Sequence, residues 1–146
     1  MNSLYIDSSA LVSVAFQDPK RWPLIKKHTQ KSKDIISSEL AVVECQSGLS
    51  SPAHNLSMEQ QVDIEQNLNR IFANTLLIQV SSEILGAARY LVREYRKSLG
   101  LRSADAIHVA TANILRKEAF GTLRIITADK KKFEVFTAQG YVTYFV

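Results

Sequence analysis

Four carboxylates in this 146-residue chain stand where their surroundings give an acid something to do. Asp7 follows the β-prone run Leu4-Tyr5-Ile6, and Asp129 follows Leu123-Arg124-Ile125-Ile126-Thr127 after one residue, Ala128. In an open parallel sheet, ligands bind outside the carboxyl ends of the strands. If these two strands are neighbours, ~4.8 Å apart, both side chains can share a cation. Taken singly, each acid also reads as a helix N-cap, a position that favours Asp. Glu44 interrupts the face Leu40, Val43, Glu44 and Ser47, so it is expected to point inward, where a carboxylate needs a partner. Glu39 reads instead as a solvated residue in the first turn of a helix that begins at Ser38. Asp105 lies in Leu101-Arg102-Ser103-Ala104-Asp105-Ala106-Ile107-His108-Val109-Ala110, two residues past an expected N-cap, Ser103, and among small and apolar neighbours.

One shared reason for four acids is simpler than four separate ones. Clustered carboxylates repel each other, and hard divalent cations with oxygen ligands relieve that repulsion. Mg²⁺, with Mn²⁺ as substitute, is the expected cofactor. Removing one of the charges is expected to leave the metal-free protein no less stable. Zinc is disfavoured, because no Cys/His group has ligand spacing. His108 reads as a core histidine satisfied by a neighbour, and Cys45 as a small buried hydrophobe. No lysine or histidine is assigned to the acids as a general base.

Alternating elements must position these residues. Short strands are expected at Leu4–Ile6, Ile35–Ile36, Leu76–Val80, Leu123–Thr127 and Tyr141–Phe145, each buried on both faces. Between them the helical period predicts helices over 9–16, 22–31, 38–49, 57–73, 82–99, 103–120 and 129–139. Gly100, Gly121 and Gly140 end the last three. This pattern predicts one domain over residues 1–146: an α/β three-layer α/β/α sandwich with a mainly parallel sheet of about five strands. With 46% hydrophobic residues, 5 Gly and 3 Pro the chain is neither disordered nor collagen-like. One Cys excludes an internal disulfide. No run approaches the ~18 apolar residues of a membrane helix, and the opening Met1-Asn2-Ser3-Leu4-Tyr5-Ile6-Asp7 lacks a basic n-region. A cytoplasmic protein without membrane contact is expected. The chain has no Gly-x-Gly-x-x-Gly, no phosphate-binding Gly-x-x-x-x-Gly-Lys-Ser/Thr and no Gly-x-Ser-x-Gly elbow, which removes the commonest alternative chemistries of α/β folds.

Together, Tyr5-Ile6-Asp7-Ser8-Ser9-Ala10-Leu11, Ser38-Glu39-Leu40-Ala41-Val42-Val43-Glu44, the segment from Leu101 to Ala110, and Ile126-Thr127-Ala128-Asp129 with Phe133 resemble the PIN-domain nucleases. They look most like the toxin component of VapBC toxin–antitoxin systems. The resemblance covers essentially the whole chain. It implies a PIN fold, a metal-dependent endoribonuclease activity acting on RNA, inhibition by a cognate antitoxin protein, and a homodimer. It also implies that Asp7, Glu44, Asp105 and Asp129 hold the metal and carry catalysis, with Ser9 and Thr127 supporting them by hydrogen bonds. Such a site would hydrolyse a phosphodiester with water, leaving a 5′-phosphate and a 3′-hydroxyl. Some relatives carry a further acid just before the phenylalanine of the fourth motif, where this chain has Lys132.

The net charge of +4 permits a polyanionic partner without demanding one. Arg89, Arg93 and Arg96 follow i, i+4, i+7 spacing. With Arg102, Lys130, Lys131 and Lys132 they are candidates to hold RNA phosphates, or else form a solvated face. Two alternatives stay open: a PIN-fold RNA- or protein-binding module with little catalysis, and a PIN nuclease with an RNA-processing role outside toxin–antitoxin systems.

Overall fold

The computed structural model describes residues 2–118 and 122–146. Five strands form one sheet in the order β3-β2-β1-β4-β5: β1 Ser3–Ile6, β2 Ile35–Ser38, β3 Leu76–Ile78, β4 Leu123–Thr127 and β5 Val142–Phe145. Every pairing is parallel. Among the described residues the helices are α1 Ser8–Ala15, α2 Trp22–Thr29, α3 Leu40–Leu49, α4 Met58–Ala73, α5 Ser82–Leu99, α6 Ser103–Lys117 and α7 Lys130–Ala138. A short 3₁₀ turn, Pro52–His54, adds to the elements expected from the sequence. The expected end of the sixth helix at Phe120 and Gly121 lies outside the described residues.

Side-chain alternation along the strands builds two cores, one on each face of the sheet. Leu4, Ile6 and Ile126 face one way, into a cluster with Leu11, Ala41 and Cys45 from α1 and α3. Tyr5, Ile36 and Ile125 face the other way, against Ala88 and Leu91 of α5, Val109 of α6 and Phe136 of α7. The result is the three-layer sandwich expected from the sequence. The central strands β1 and β4 are buried along nearly their whole length, whereas β3 and β5 are half-exposed edges. Burial on both faces therefore describes the middle of the sheet and not its rims. Each edge strand is also shorter than expected: β3 stops at Ile78 and β5 begins at Val142.

The start of α3 also departs from expectation. Ser37 and Ser38 extend β2 and are fully buried. Their polarity suggests a helix start, yet both hydroxyls find local partners. Ser37 Oγ donates to the carbonyl of Ile6 at 2.6 Å, and Ser38 Oγ accepts from the amide of Leu40. The helix then begins at Leu40, and its buried residues are Ala41, Cys45 and Leu49. Val43 is 68% exposed and Ser47 is exposed, so the face predicted to point inward is mostly solvent-facing. Glu44 lies beside the buried row and not in the middle of an apolar stripe.

The strand order reverses beside β1: β2 leaves on one side and β4 lies on the other. Such a switch point opens a crevice at the carboxyl ends of the two strands. β1 and β4 pair with Ile6 opposite Ile126, so Asp7 and Thr127 leave the sheet together.

Candidate active site

Asp7 forms the floor of this crevice. It is 0% exposed and caps α1, its Oδ1 accepting from the Ala10 amide at 3.1 Å. The capping reading therefore holds for this side chain, and capping does not remove it from the carboxyl end of β1, where a site is expected. Ser9 Oγ donates to the same oxygen at 2.7 Å. Thr127 Oγ1 donates to Oδ2 at 2.7 Å, and the Lys132 ammonium approaches that oxygen at 2.8 Å. A carboxylate offers about four acceptor positions, and these four donors take all of them. Ser9 and Thr127 also tie the two strands' exits together: Ser9 Oγ accepts from the Ala128 amide and Thr127 Oγ1 from the Asp129 amide.

Around this floor stand the other acids. Asp105 is the third residue of α6, and its Oδ2 accepts from the backbone amide of Arg102, which occupies the N-cap position expected for Ser103. Gly100 makes that placement possible. It ends α5 in the left-handed region, at φ 68°, and turns the chain into α6. Asp129 caps α7 by accepting from the Lys132 amide at 3.0 Å. Glu44 reaches across from α3 to His108 Nε2 of α6 at 2.5 Å, while His108 Nδ1 meets the Tyr5 hydroxyl at 2.8 Å. Glu44, Asp105, Asp129 and Lys132 line one open cavity of about 410 Å³, with Arg21 at its border. A second cavity of the same size shares Asp105 and Asp129 and adds Arg102, Lys130 and Lys131.

A sequence model of the PIN domain family matches residues 4–137. The chain belongs to the PIN domain family. Among solved structures, this PIN domain is similar to a toxin–antitoxin complex from Klebsiella pneumoniae, at 20% identity and TM-score 0.66 over 98% of this chain and 99% of that one. It is similar also to VapBC2 from Rickettsia felis bound to a promoter DNA fragment, at 14% identity and TM-score 0.66 over 99% and 98% of the two chains. A third is the sarcin–ricin-loop-cleaving toxin VapC20 of Mycobacterium tuberculosis, at 16% identity and TM-score 0.63 over 95% and 96%. At these identities the likeness is one of fold. No curated protein sequence matches the chain. No helix of the described residues is long and apolar enough to cross a membrane.

The electrostatics of this PIN domain centre on a residue whose place its neighbours in sequence disguise. Its run with Lys130 and Lys131 makes Lys132 a candidate phosphate contact, and the sequence assigns no lysine to the acids. In the fold its side chain is 3% exposed, and its Nζ lies 2.8 Å from Asp7 and 3.7 Å from Asp105. Burial opposes its charge, but Asp7, Asp105 and Glu44 outweigh burial and hold the ammonium above the ordinary lysine range. Burial likewise works to raise the Asp7 carboxyl, and the Lys132 and His108 beside it bring it below the ordinary carboxylate value. In Glu44 burial is again outweighed, here first by the hydrogen bond to His108, so its pKa is also lowered. These pairings correct two expectations. A lysine does stand beside the motifs, as a cation and not as a general base, and removing the Asp7 charge would strand a buried ammonium rather than only relieve repulsion.

His108 is buried and bonded on both nitrogens. Burial and the nearby Asp7 and Glu44 keep the Tyr5 hydroxyl protonated, and the ring bridges that hydroxyl, at Nδ1, to the Glu44 carboxylate, at Nε2. The Cys45 thiol, buried against Ser8, is pushed up to about 12 by burial and the neighbouring acids, which makes it a poor nucleophile.

The sequence-derived basic set divides. Arg102 and Lys130 border the acids, whereas Arg89, Arg93 and Arg96 are exposed along α5 and line neither cavity. Arg21 joins the site unannounced, since nothing in Lys20-Arg21-Trp22-Pro23 marks it. Lys132 does carry a signal. With Asp129 as N-cap, Lys132, Val135 and Phe136 follow i, i+3, i+4 spacing, and all three are buried.

The donor chemistry of the cavity suits a divalent metal ion: Glu44, Asp105 and Asp129 offer hard carboxylate oxygens. Among the described residues, however, no three His, Cys, Asp or Glu side chains gather around one point as a ligand group. Lys132 stands where Asp7 and Asp105 come nearest to sharing a cation.

Proposed function

We propose that this protein is a divalent-metal-dependent endoribonuclease acting as the toxin of a type II toxin–antitoxin pair. The observation that carries the reading is the convergence of three carboxylates, Glu44, Asp105 and Asp129, on one open cavity above a buried fourth, Asp7, at the switch point of a PIN fold. A bound Mg²⁺ or Mn²⁺ supplies Lewis acidity, activating water and offsetting the charge of the scissile phosphate. Glu44, Asp105 and Asp129 would hold it. The chain's own residues do the rest. Ser9 and Thr127 fix Asp7, and His108, oriented by Tyr5, fixes the Glu44 carboxylate. Arg102, Lys130 and Lys131 on the adjoining cavity offer cationic contacts to the phosphates on either side of the cleaved bond. RNA is the substrate in this reading, cut in unpaired segments where the backbone can enter an open cavity.

The toxin assignment draws on solved relatives that are toxin–antitoxin complexes. A small antitoxin protein, encoded beside this chain, is the proposed partner, and a homodimer and a cytoplasmic site of action belong to the same reading. The test is expression of wild type beside Glu44→Gln, with and without the adjacent gene, followed by mapping of RNA 5′ ends. Wild type should arrest growth and cut RNA. Glu44→Gln should lose at least about 100-fold of the cleavage, and the adjacent gene product should relieve the arrest. RNA binding by both proteins with cleavage by neither would support the second reading, a PIN-fold binding module. That reading is favoured by one observation, the ammonium already seated among the acids.

A further inference from the structure

Among the Lys, Arg, Asp and Glu side chains of the described residues, Lys132 is the most buried after Asp7, and its placement is over-determined. Asp129 accepts from its backbone amide at 3.0 Å and so fixes the first turn of α7. Val135 and Phe136 continue the same buried face, which carries the side chain inward along apolar surface. Its neighbours Lys130 and Lys131 remain exposed. The ammonium then sits between Asp7 Oδ2, at 2.8 Å, and Asp105 Oδ1, at 3.7 Å.

A Mg²⁺ ion needs carboxylate oxygens at about 2.0–2.1 Å. Asp7 cannot offer one while Ser9, Ala10, Thr127 and Lys132 fill its acceptor positions. Three of those donors are fixed by the α1 cap and the end of β4, so Lys132 is the one a cation would have to displace. Charge counting points the same way. Four formal carboxylates balance two divalent ions, but with Lys132 among them two divalent ions would leave an excess of positive charge, with the Lys132 and Asp7 part of it buried.

We propose that Lys132 is a tethered cation, holding the position between Asp7 and Asp105 that a second divalent ion would otherwise take, so that the centre accepts a single divalent ion on its Glu44 and Asp129 side. This rests on the metal-dependent reading of the site and deepens it. Lys132 is a positioning residue in this account: it organises the acids through its contacts with Asp7 and Asp105.

The experiment counts ions directly. Mn²⁺ is titrated into the full-length protein without RNA, with free Mn²⁺ read by electron paramagnetic resonance and the fold checked by circular dichroism. Wild type is expected to bind one Mn²⁺ per chain. Lys132→Met, close in shape and uncharged, should bind two, and Lys132→Arg, which keeps the charge, should stay at one. Two ions on wild type would overturn the inference, and that count holds even if Lys132→Met fails to fold. One ion on both wild type and folded Lys132→Met, with unchanged affinity, would also overturn it and leave the metal-dependent function standing. No ion on any of the three proteins would sink the metal reading and this inference together.

Discussion

Two sets of charges in this molecule obey different rules. At the carboxyl ends of β1 and β4, Asp7 and Lys132 are buried, at 0% and 3% exposure, and each has charged or hydrogen-bonding partners from other elements. Along α5, Arg89, Arg93 and Arg96 are exposed, and none forms a salt bridge among the described residues. A buried charge persists only where its surroundings over-determine it, so the first set is part of the fold as well as of the site. An exposed charge costs little to place and little to lose. Proximity in sequence is therefore a poor guide to role. Lys131 and Lys132 are neighbours in the chain, yet one faces solvent and the other completes the acid centre.

The largest effect should come from cutting into the buried set. Asp7→Asn keeps the shape of the cap but leaves the Lys132 ammonium without its nearest counter-charge. We expect a loss on the order of 3 kcal/mol of stability in denaturant titrations at pH 7 without metal, together with loss of RNA cleavage. The pH dependence has a definite sign. The Asp7 carboxyl is held below its ordinary value, chiefly by Lys132 against the opposing effect of burial. Its contribution is present above the ordinary carboxylate pKa of about 3.9 and is lost as pH falls through the lower folded value. Wild type should therefore lose stability more steeply below about pH 4 than Asp7→Asn does. An Asp7→Asn variant as stable as wild type at pH 7 would mean that repulsion among the acids outweighs the Lys132 pair, and the contrast between the two sets would fail.

A middle-sized effect separates two acids on one helix. Glu44→Gln weakens the link to His108 and removes a cavity carboxylate, whereas Glu39 is exposed and caps nothing with its side chain. Glu39→Gln should leave cleavage nearly intact and cost a few tenths of a kcal/mol at most. Equal losses in the two variants would place Glu39 in the site.

The Glu44 case also shows what the sequence could and could not convey. Glu44 emerges from a face that the structure does not bury, because Ser37 and Ser38 resemble a helix start while their hydroxyls are satisfied inside a strand end. The mainly parallel sheet was legible, since alternating strands and helices leave few ways to arrange the chain, but the strand order was not, and the adjacency of β1 and β4 entered only as a condition for two acids to share a cation. Burial of the edge strands was not, because their apolar content matches that of the central pair. Asp7 and Asp129 were legible from their positions after strands, although capping explained each singly. Lys132 was hidden by composition: a run of three lysines suggests solvent, and only the register from the Asp129 cap separates the third from the others. Arg21 approaches the acids through tertiary packing alone, with no local pattern to announce it.

The smallest effect, and the sharpest test of the comparison, concerns whether exposed charge near the site differs from exposed charge remote from it. Arg102 and Lys130 line the cavity that shares Asp105 and Asp129. Replacing both with Gln should weaken RNA binding and reduce the slope of log affinity against log salt by about 0.7 for each single-strand phosphate that is no longer neutralised. Replacing Arg89, Arg93 and Arg96 together should weaken binding less, because these side chains line neither cavity and can meet only RNA that runs beyond the cleaved segment. Neither set should alter the number of Mn²⁺ ions bound, since no guanidinium reaches the acids' ligating oxygens among the described salt bridges at the centre. A triple variant whose salt slope is the same as wild type would remove α5 from the RNA path. Its arginines would then be surface left for a protein partner, and the cavity rim alone would carry the electrostatic grip on RNA.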